Sequence, residues 1–210
     1  MPLTVVDHPL VQDRVAILRD ESTDRAAFRR ATRDLGAFLV YEATRDLATV
    51  AGSVRTPLDL DAPVRRIAHP GPVVVPILRA GLGLLEGVLS ALPEAEVGVI
   101  GLARDEETFR PVAYCERLRD DLAGREAFVL DPMLATGGSL VAACVMLAAR
   151  GAGRITAVTV LAAPEGVQRV AHALPDVRVV TAALDERLND HAFIVPGLGD
   201  AGDRLFGPPG

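Results

Sequence analysis

The chain has 210 residues, of which 50% are hydrophobic and 24% are charged, and its formal net charge is −6. This length and balance are typical of one globular domain and argue against a disordered chain. The acidic net charge argues against a nucleic-acid partner, because proteins that bind nucleic acids normally present a basic face. We therefore expect a single domain over residues 1–210.

The longest apolar runs, at 73–78 and 157–163, are much shorter than the roughly 20 residues that a membrane-spanning helix needs. The N-terminus lacks the basic segment and apolar core of a secretory signal. These features predict a cytoplasmic protein with no membrane partner. Cys115 and Cys144 have no CxxC spacing, so we expect them to be packing residues.

The first predicted element is a helix that is capped by Ser22 or Thr23 and ends near Gly52. Its apolar residues recur at spacings that place them on one face; they are Phe28, Leu35, Phe38, Leu39 and Leu47. A face of this kind predicts a contact with the core or with another subunit.

Beyond this helix, short apolar runs alternate with helical segments. The predicted strands are 73–75, 97–100, 127–130, 155–162 and 177–182, and the predicted helices are 82–91, 138–150 and 165–173. Because these runs are continuously apolar, they predict a parallel sheet with helices on both faces, which is an α/β fold. The charged segment 104–125 is expected to form a two-stranded excursion or flap. The tail from Asn189 onward is expected to run as loops near the strand ends.

The segment VLDPMLATGGS, residues 129–139, joins a predicted strand to a predicted helix. Asp131 is expected at the carboxyl end of the strand, where open α/β sheets bind ligands. The turn 135–139 offers backbone N–H groups at a helix start, and its two glycines let an anion approach closely. No P-loop lysine is present, so a sugar phosphate is a better prediction than a nucleoside triphosphate. An ordinary helix N-cap is the alternative for Thr136–Ser139.

A second glycine loop, VPILRAGLGLLEG at 75–87, also follows a predicted strand. It is not a dinucleotide fingerprint, because Glu86 stands where that motif requires glycine. The loop instead places Arg79 beside flexible glycines, which suits a second phosphate group. Arg104 follows the strand at 97–100 and would be another cation at the same edge. Exposed ion pairs are the alternative role for both arginines.

Several segments resemble known enzymes. LDPMLATGGS resembles the phosphoribosyl-diphosphate motif of type I phosphoribosyltransferases, and VPILRAGLG, RDEE, AAPEG and IVPGLGDAGDRLFG are similar to segments of the uracil phosphoribosyltransferase family. The resemblance extends in order from DHPL near the N-terminus to the tail. It implies a type I phosphoribosyltransferase fold with a flap and a C-terminal base-binding loop. The implied reaction transfers the phosphoribosyl group of 5-phosphoribosyl 1-diphosphate to uracil, giving UMP and pyrophosphate in pyrimidine salvage.

The resemblance also implies roles for individual residues, with Asp131, Arg79 and Arg104 as the candidate catalytic residues. Phosphoribosyl diphosphate would be bound by Arg79, Arg104, Asp131, Pro132, Met133, Leu134, Ala135, Thr136, Gly137, Gly138, Ser139 and Asp200. Uracil would be bound by Ile194, Gly199, Asp200 and Ala201, largely through backbone groups. Tyr114, in the flap, would cover the ribose.

Further implications of the resemblance are Mg²⁺ without direct protein ligands, a homodimer or larger homo-oligomer, and GTP as a candidate effector. Two alternatives stay open: a regulator that keeps the fold and binds RNA or DNA, and a phosphoribosyltransferase for another base. Asp203 is interpreted as a turn former with Arg204 as its partner. No histidine is assigned to catalysis, and the role of Cys115, where the family more usually has an aromatic residue, is left open.

Overall fold

The computed structural model describes residues 1–104 and 111–208, without the side chains of Arg104 and Pro111. The helices are α1 (Pro9–Arg19), α2 (Arg25–Ala43), α3 (Leu82–Ala91), α4 (Gly138–Ala148), α5 (Pro164–Ala173) and α6 (Ala201–Phe206). The strands are β1 (Leu3–Val5), β2 (Thr49–Arg55), β3 (Asp61–Ile67), β4 (Val73–Leu78), β5 (Glu96–Val97), β6 (Val99–Arg104), β7 (Pro111–Arg117), β8 (Ala127–Leu130), β9 (Met133–Leu134), β10 (Ile155–Ala162), β11 (Arg178–Leu184), β12 (Arg187–Leu188) and β13 (Ile194–Val195).

Nine strands form one central sheet in the order β1-β11-β10-β8-β4-β6-β7, with β5 beside β4 and β9 beside β10. The neighbours in this sheet pair in parallel except β6 and β7, which are antiparallel. The predicted α/β class with a mostly parallel sheet is therefore confirmed. Because β4, β6 and β8 are neighbours, the loops that follow them meet at one edge of the sheet.

Helices cover both faces of the sheet, as the continuously apolar strands predicted. In β8, Phe128 and Leu130 pack into the core formed with α1, α2, α3 and α6, whereas Ala127 and Val129 pack into the core formed with α4 and α5. This alternation follows from the two-residue period of a strand. No helix in the described part of the chain is long and apolar enough to cross a membrane.

The predicted long helix after Ser22 is wrong at both ends. Its N-cap is Asp24, whose carboxylate accepts a hydrogen bond of 2.8 Å from the N–H of Ala27. The helix ends at Ala43, and Gly52 lies within β2, which pairs with β3 in an antiparallel hairpin. The sequence did not indicate this hairpin because most of its residues are exposed, so it has no alternating apolar face.

Within the predicted excursion at 104–125 the structure describes one strand, β7, which pairs in antiparallel fashion with β6, a strand that overlaps the predicted strand 97–100. Most of the RDEE segment falls in 105–110, outside the described residues. The expectation that the tail from Asn189 forms only loops is wrong, because it also contains β13, which pairs with β12 just before the tail, and the helix α6. Asp200 is the N-cap of α6, and its carboxylate accepts a 2.9 Å hydrogen bond from the N–H of Asp203. This capping bond supplies the helix start that the Gly-rich sequence concealed.

Candidate active site

A cleft of about 470 Å³ opens at the carboxyl edge of the sheet, where the loops after β4 and β8 face the C-terminal segment. The predicted site residues that line it are Arg79, Asp131, Met133, Ala135, Ser139, Ile194, Gly199, Asp200 and Ala201. Residues predicted for the phosphoribosyl donor and for the base therefore surround one common hollow. They come from segments that are more than 100 residues apart in the sequence, roughly from 79 to 201.

Asp131 lies directly after β8, as predicted, and faces the cleft. Its N–H donates to the carbonyl of Val158 in β10 at 3.2 Å, which fixes the backbone at the strand end. Burial among protein atoms raises the pKa of the Asp131 carboxyl to about 7, against a smaller lowering by the N–H of Met133. Hydrogen bonds from the hydroxyl groups of a bound sugar would favour the ionised form of Asp131 and so oppose the effect of burial on its pKa.

The turn between β9 and α4 has the geometry of an anion site. The N-cap of α4 is Gly137, with φ 75° in the left-handed region, so neither Thr136 nor Ser139 occupies the cap position that the alternative interpretation required. A glycine cap has no side chain to accept the first helical N–H groups, which leaves them available to an anion. The turn is held by α5, because a Cβ on Gly166 would lie 2.3 Å from the carbonyl oxygen of Ala135.

Only the two ends of the predicted phosphate turn, Ala135 and Ser139, line the cleft. The remaining predicted residues of this segment do not line it; they are Pro132, Leu134, Thr136, Gly137 and Gly138. Leu134 is buried in the core, where it supports the turn from behind. These residues shape the turn through their backbone and do not offer a side chain to the cleft.

Arg79 follows β4 and lines the cleft with its side chain about half exposed. One of its terminal nitrogens lies 3.7 Å from a carboxylate oxygen of Asp203 and 3.4 Å from the carbonyl oxygen of Gly207. The predicted partner of Asp203 is therefore wrong: it is Arg79 rather than Arg204. The guanidinium of Arg204 instead donates to the carbonyls of Leu198 and of residues in the α1 end, because α6 packs against that helix.

The loop that carries Arg79 is pressed against the neighbouring strand. A Cβ on Gly81 would lie 2.3 Å from the carbonyl oxygen of Leu130 and 2.7 Å from the backbone nitrogen of Ile77. Only a glycine permits this approach, which brings Arg79 beside the end of β8, where Asp131 begins the next loop. The Leu78–Arg79 peptide bond within this loop is cis.

Of two further predicted residues, Tyr114 lies away from the cleft and Arg104 is described only in its backbone. The side chain of Arg104 lies outside the described residues; its backbone ends β6, next to β4, at the same edge of the sheet. Tyr114 on β7 is 59% exposed, and its ring lies over Gly101 of β6 rather than against the cleft.

Sequence reasoning missed several lining residues, namely Ile77, Leu78, Ala80, Leu102, His191, Ala192, Phe193 and Gly202. Most of these flank a predicted residue, so a wider window around each motif would have found them. His191 and Phe193 lie in the turn just before Ile194. Their only sequence signal was this position, since a lone histidine and a lone aromatic residue carry no motif.

The carboxylates of the cleft fit a magnesium ion that is held mainly by a substrate. In residues 1–104 and 111–208, no three His, Cys, Asp or Glu side chains form a metal cluster. Asp131 and Asp200 both line the cleft, and Mg²⁺ commonly binds one or two carboxylates together with substrate phosphates and water. The donor set therefore suits an ion that arrives with a diphosphate.

Comparison with known proteins gives a consistent family. The uracil phosphoribosyltransferase family profile matches residues 5–208. Proteins named uracil phosphoribosyltransferase from Beutenbergia cavernae and Streptomyces avermitilis are each 56% identical to the chain, with 99% of both chains covered.

Among solved structures, a protein of Aquifex aeolicus is 39% identical and superposes with a TM-score of 0.92, covering 98% of each chain. Adenine phosphoribosyltransferase of Trypanosoma brucei, solved with AMP, pyrophosphate and ribose-5-phosphate, superposes with a TM-score of 0.58 over 91% of this chain and 88% of its own. Its 14% identity makes it a likeness of fold alone. The family profile and the named relatives agree with each other, and the chain is a member of the uracil phosphoribosyltransferase family.

Proposed function

We propose that this cleft transfers the phosphoribosyl group of 5-phosphoribosyl 1-diphosphate to uracil, giving UMP and pyrophosphate. The observation that carries the proposal is the meeting of Asp131, the turn 135–139, Arg79 and the segment 194–201 around one hollow. The family match over residues 5–208 supports uracil as the acceptor. We further propose that residues 1–210 act as a single domain, because the segment 194–201 packs into the same apolar core as the strand β8 of the central sheet.

The donor is bound at three points of the sheet edge. The backbone N–H groups of Ala135–Ser139 hold the 5-phosphate at the start of α4, where the helix dipole favours negative charge. The carboxylate of Asp131 accepts hydrogen bonds from the ribose hydroxyls. Arg79 leaves its weak contact with Asp203 to pair with the diphosphate, and Arg104 is the second proposed cation at this edge.

The reaction replaces one bond at the ribose C1 by another. The bond from C1 to the diphosphate oxygen breaks, uracil N1 forms the new bond to C1, and N1 gives up its proton. As the leaving bond loosens, positive charge grows on the ribose and negative charge grows on pyrophosphate. Guanidinium groups that are fixed beside the leaving oxygens stabilise this separation, which is commonly the largest contribution to catalysis.

Uracil is selected by backbone groups in the segment 194–201. A backbone N–H directed at O4 and a carbonyl that accepts the N3 hydrogen fit uracil, whereas cytosine reverses both patterns. A site of this kind rejects the mismatched base because its buried polar groups would be left unpaired. Gly199 adopts φ 81°, a conformation that glycine permits and that leaves its peptide groups accessible beside Asp200 and Ala201.

Mg²⁺ is the proposed cofactor and would be held by the diphosphate, and Asp200 would reach the donor through this ion or through water. The ion would supply neutralisation of the charge that develops on pyrophosphate. Removal of divalent ions with EDTA should abolish turnover, and Mg²⁺ should restore it. GTP stays a candidate effector, which addition of GTP to the same assay would test. The cytoplasmic location stays a prediction that cell fractionation would test.

A homodimer or larger homo-oligomer is proposed for the assembly. The hairpin β2–β3 is a separate two-stranded sheet that exposes apolar side chains, with Val50 51%, Leu58 80% and Leu60 64% exposed. A two-stranded hairpin is marginally stable alone in water, so a covering surface would stabilise it. Light scattering after size-exclusion chromatography should give at least twice the chain mass; a monomer at assay concentration would contradict this.

The central test is release of pyrophosphate by the pure protein with donor, Mg²⁺ and one base at a time. We expect turnover with uracil and at least about a hundredfold lower kcat/KM with cytosine, orotate or hypoxanthine. Turnover with another base alone would replace uracil as the acceptor. Absence of turnover with every base would contradict the proposed reaction.

A further inference from the structure

The base-binding segment is supported from behind by a network of charged side chains that belongs to no predicted site. Asp185 directly follows β11 and is 8% exposed, one of few buried ionisable residues in the described part of the chain. Arg19 is the last residue of α1. Neither residue lines the cleft. Both point instead at the Pro–Gly turn that connects Ile194 with Gly199.

The contacts form a closed ring around Gly197. The guanidinium of Arg19 pairs with both carboxylate oxygens of Asp185, one of them at 2.9 Å, and also donates to the carbonyl oxygen of Gly197 at 2.8 Å. The carboxylate of Asp185 in turn accepts the N–H of Gly197 at 2.9 Å. Both backbone polar groups of this one glycine are therefore held by side chains that are themselves paired.

The position of Gly197 determines the position of the uracil-binding backbone. Gly197 adopts φ 68°, and a Cβ on it would lie 2.1 Å from the carbonyl oxygen of Ile194. The turn is thus folded directly onto a residue that is proposed to contact the base. Displacement of Gly197 would displace the Ile194 carbonyl on one side and the start of the Gly199–Ala201 segment on the other.

A second arginine ties the same segment to the same end of α1. Arg204 in α6 donates to the carbonyl of Leu198 at 2.9 Å and to that of Asp20 at 2.7 Å, and its guanidinium lies 4.3 Å from the ring centre of Phe28. The last turn of α1 therefore anchors the base-binding segment at two neighbouring residues, Gly197 and Leu198. Neither Arg19 nor Arg204 lines the cleft, so both are supports rather than catalytic groups.

We propose that Arg19 and Asp185 are positioning residues that set base affinity and base selectivity by fixing the backbone of the 194–201 segment. This inference rests on the proposed function, because it assigns the segment to uracil. Backbone recognition needs peptide groups placed within a fraction of an ångström, and a shift of about 1 Å can cost about a hundredfold in rate. The phosphoribosyl donor contacts other segments, so its binding should not depend on the pair.

The guanidinium shape is essential to the ring. Arg19 donates from two terminal nitrogens to two carboxylate oxygens and to one carbonyl, whereas lysine has a single nitrogen that ends one bond closer to the backbone. Arg19→Lys keeps the charge but should lose the bond to Gly197. Asp185→Asn keeps the shape of the side chain but replaces an acceptor oxygen by an NH₂ group, which cannot accept from Arg19 or from Gly197.

Arg14 offers a matched control on the same helix. It pairs with Asp34 of α2 at 2.9 Å, and its side chain is 29% exposed against 27% for Arg19. This pair joins α1 to α2 and does not contact the base-binding segment. Arg14→Lys therefore removes a guanidinium ion pair from α1 without the loss of the contact to Gly197.

The experiment compares steady-state kinetics of the wild type, Arg19→Lys, Asp185→Asn and Arg14→Lys with uracil and with cytosine, at a temperature well below each melting point. For Arg19→Lys and Asp185→Asn we expect the KM for uracil to rise about tenfold or more and the uracil-to-cytosine ratio of kcat/KM to fall. The KM for the donor should stay within about twofold of the wild type. Arg14→Lys should leave all of these values unchanged.

Equal rises in both KM values, or unchanged KM for uracil in the two variants, would overturn the positioning role. Failure of both variants to fold while Arg14→Lys folds would also overturn it, because the pair would then act on stability alone. Failure of the proposed function is recognised separately, since the wild type itself would then show no turnover with uracil.

Discussion

At the residue scale, Asp131 combines a position at a strand end with a pKa that burial raises to about 7. Its proposed task, accepting ribose hydroxyls, needs the charged form. For Asp131→Asn we expect kcat/KM for the donor to fall at least about a hundredfold, because two hydrogen bonds to a charged group contribute about 1.5–3 kcal/mol each. Below pH 7 the kcat/KM of the wild type should fall about tenfold per pH unit, and the kcat/KM of the variant should not show this fall.

Steady-state rates between pH 5.5 and pH 9 would test this prediction. Ionisation of the donor phosphates affects the wild type and the variant alike, so the variant serves as the control for it. An acid limb that persists in Asp131→Asn would assign the titration to another group.

The Asp131 carboxyl should make the protein less stable as pH rises, whereas an aspartate in an ion pair makes a protein more stable as pH rises. Its pKa rises from 3.8 to about 7 on folding, so between these pH values the folded chain binds more protons than the unfolded chain. The free energy of unfolding contributed by Asp131 therefore falls as pH rises from about 4 to about 7, by on the order of 3 kcal/mol.

Urea unfolding of the ligand-free protein at pH 5 and pH 8 would measure this change. Relative to the wild type, the free energy of unfolding of Asp131→Asn should be higher at pH 8 than at pH 5. If the difference between the two proteins is the same at both pH values, Asp131 does not cause the pH dependence of stability.

Arg79 and Asp203 contact each other, but substitution of Arg79 should weaken donor binding much more than substitution of Asp203. Both side chains are nearly half exposed and 3.7 Å apart, and an exposed pair of this kind contributes about 0–1 kcal/mol. Asp203→Asn should change the KM for the donor by less than about fivefold. Arg79→Met should raise it by about tenfold or more, because a diphosphate contact is lost, with little change for uracil. Similar effects of the two substitutions would contradict a separate role for Arg79.

At the element scale, α2 and α3 approach so closely that glycines replace side chains at their contact. A Cβ on Gly36 of α2 would lie 2.3 Å from the carbonyl oxygen of Leu84 in α3. Gly36→Ala should therefore destabilise the protein by about 1–3 kcal/mol, the usual cost of overpacking a fixed backbone contact. Gly52→Ala in the exposed hairpin meets its nearest neighbour at an ordinary 3.8 Å and should change stability by less than about 0.5 kcal/mol.

Urea unfolding of the two variants gives both values. If Gly36→Ala is as stable as the wild type, α2 and α3 can move apart at little cost, which would contradict a fixed close contact between them.

Elements differ in how far their sequence predicted them. The buried strand β10 and the helix α3 have the predicted bounds, 155–162 and 82–91, because a buried element carries a long apolar run with clear ends. The hairpin β2–β3 was missed, because exposure on both faces leaves no periodic signal. The start of α2 was missed by one or two residues, because Ser22, Thr23 and Asp24 are all good N-caps and only packing decides among them.

At the scale of the whole molecule, the net charge of −6 separates an enzyme from a nucleic-acid-binding regulator. The proposed anion contacts are local, at Arg79 and at the start of α4, and they need no continuous basic face. In a gel-shift assay at about 150 mM salt we expect no complex with RNA or DNA at micromolar protein, because counterion release would contribute little. A specific, salt-dependent shift would support the regulator instead.

The sequence by itself determined the α/β class, the approximate positions of the buried strands along the chain and the two glycine-containing loops that follow β4 and β8. Each of these depends on a local pattern: a continuous apolar run, a carboxylate at its end, or glycines beside an arginine. Only the tertiary structure decided that these loops share one cleft with His191 and Phe193, and that Arg19 and Asp185 hold Gly197 across 178 and 12 residues of sequence. Contacts between distant residues leave no periodic or local signal, because the free energy that selects them arises only when the whole sheet has brought them together.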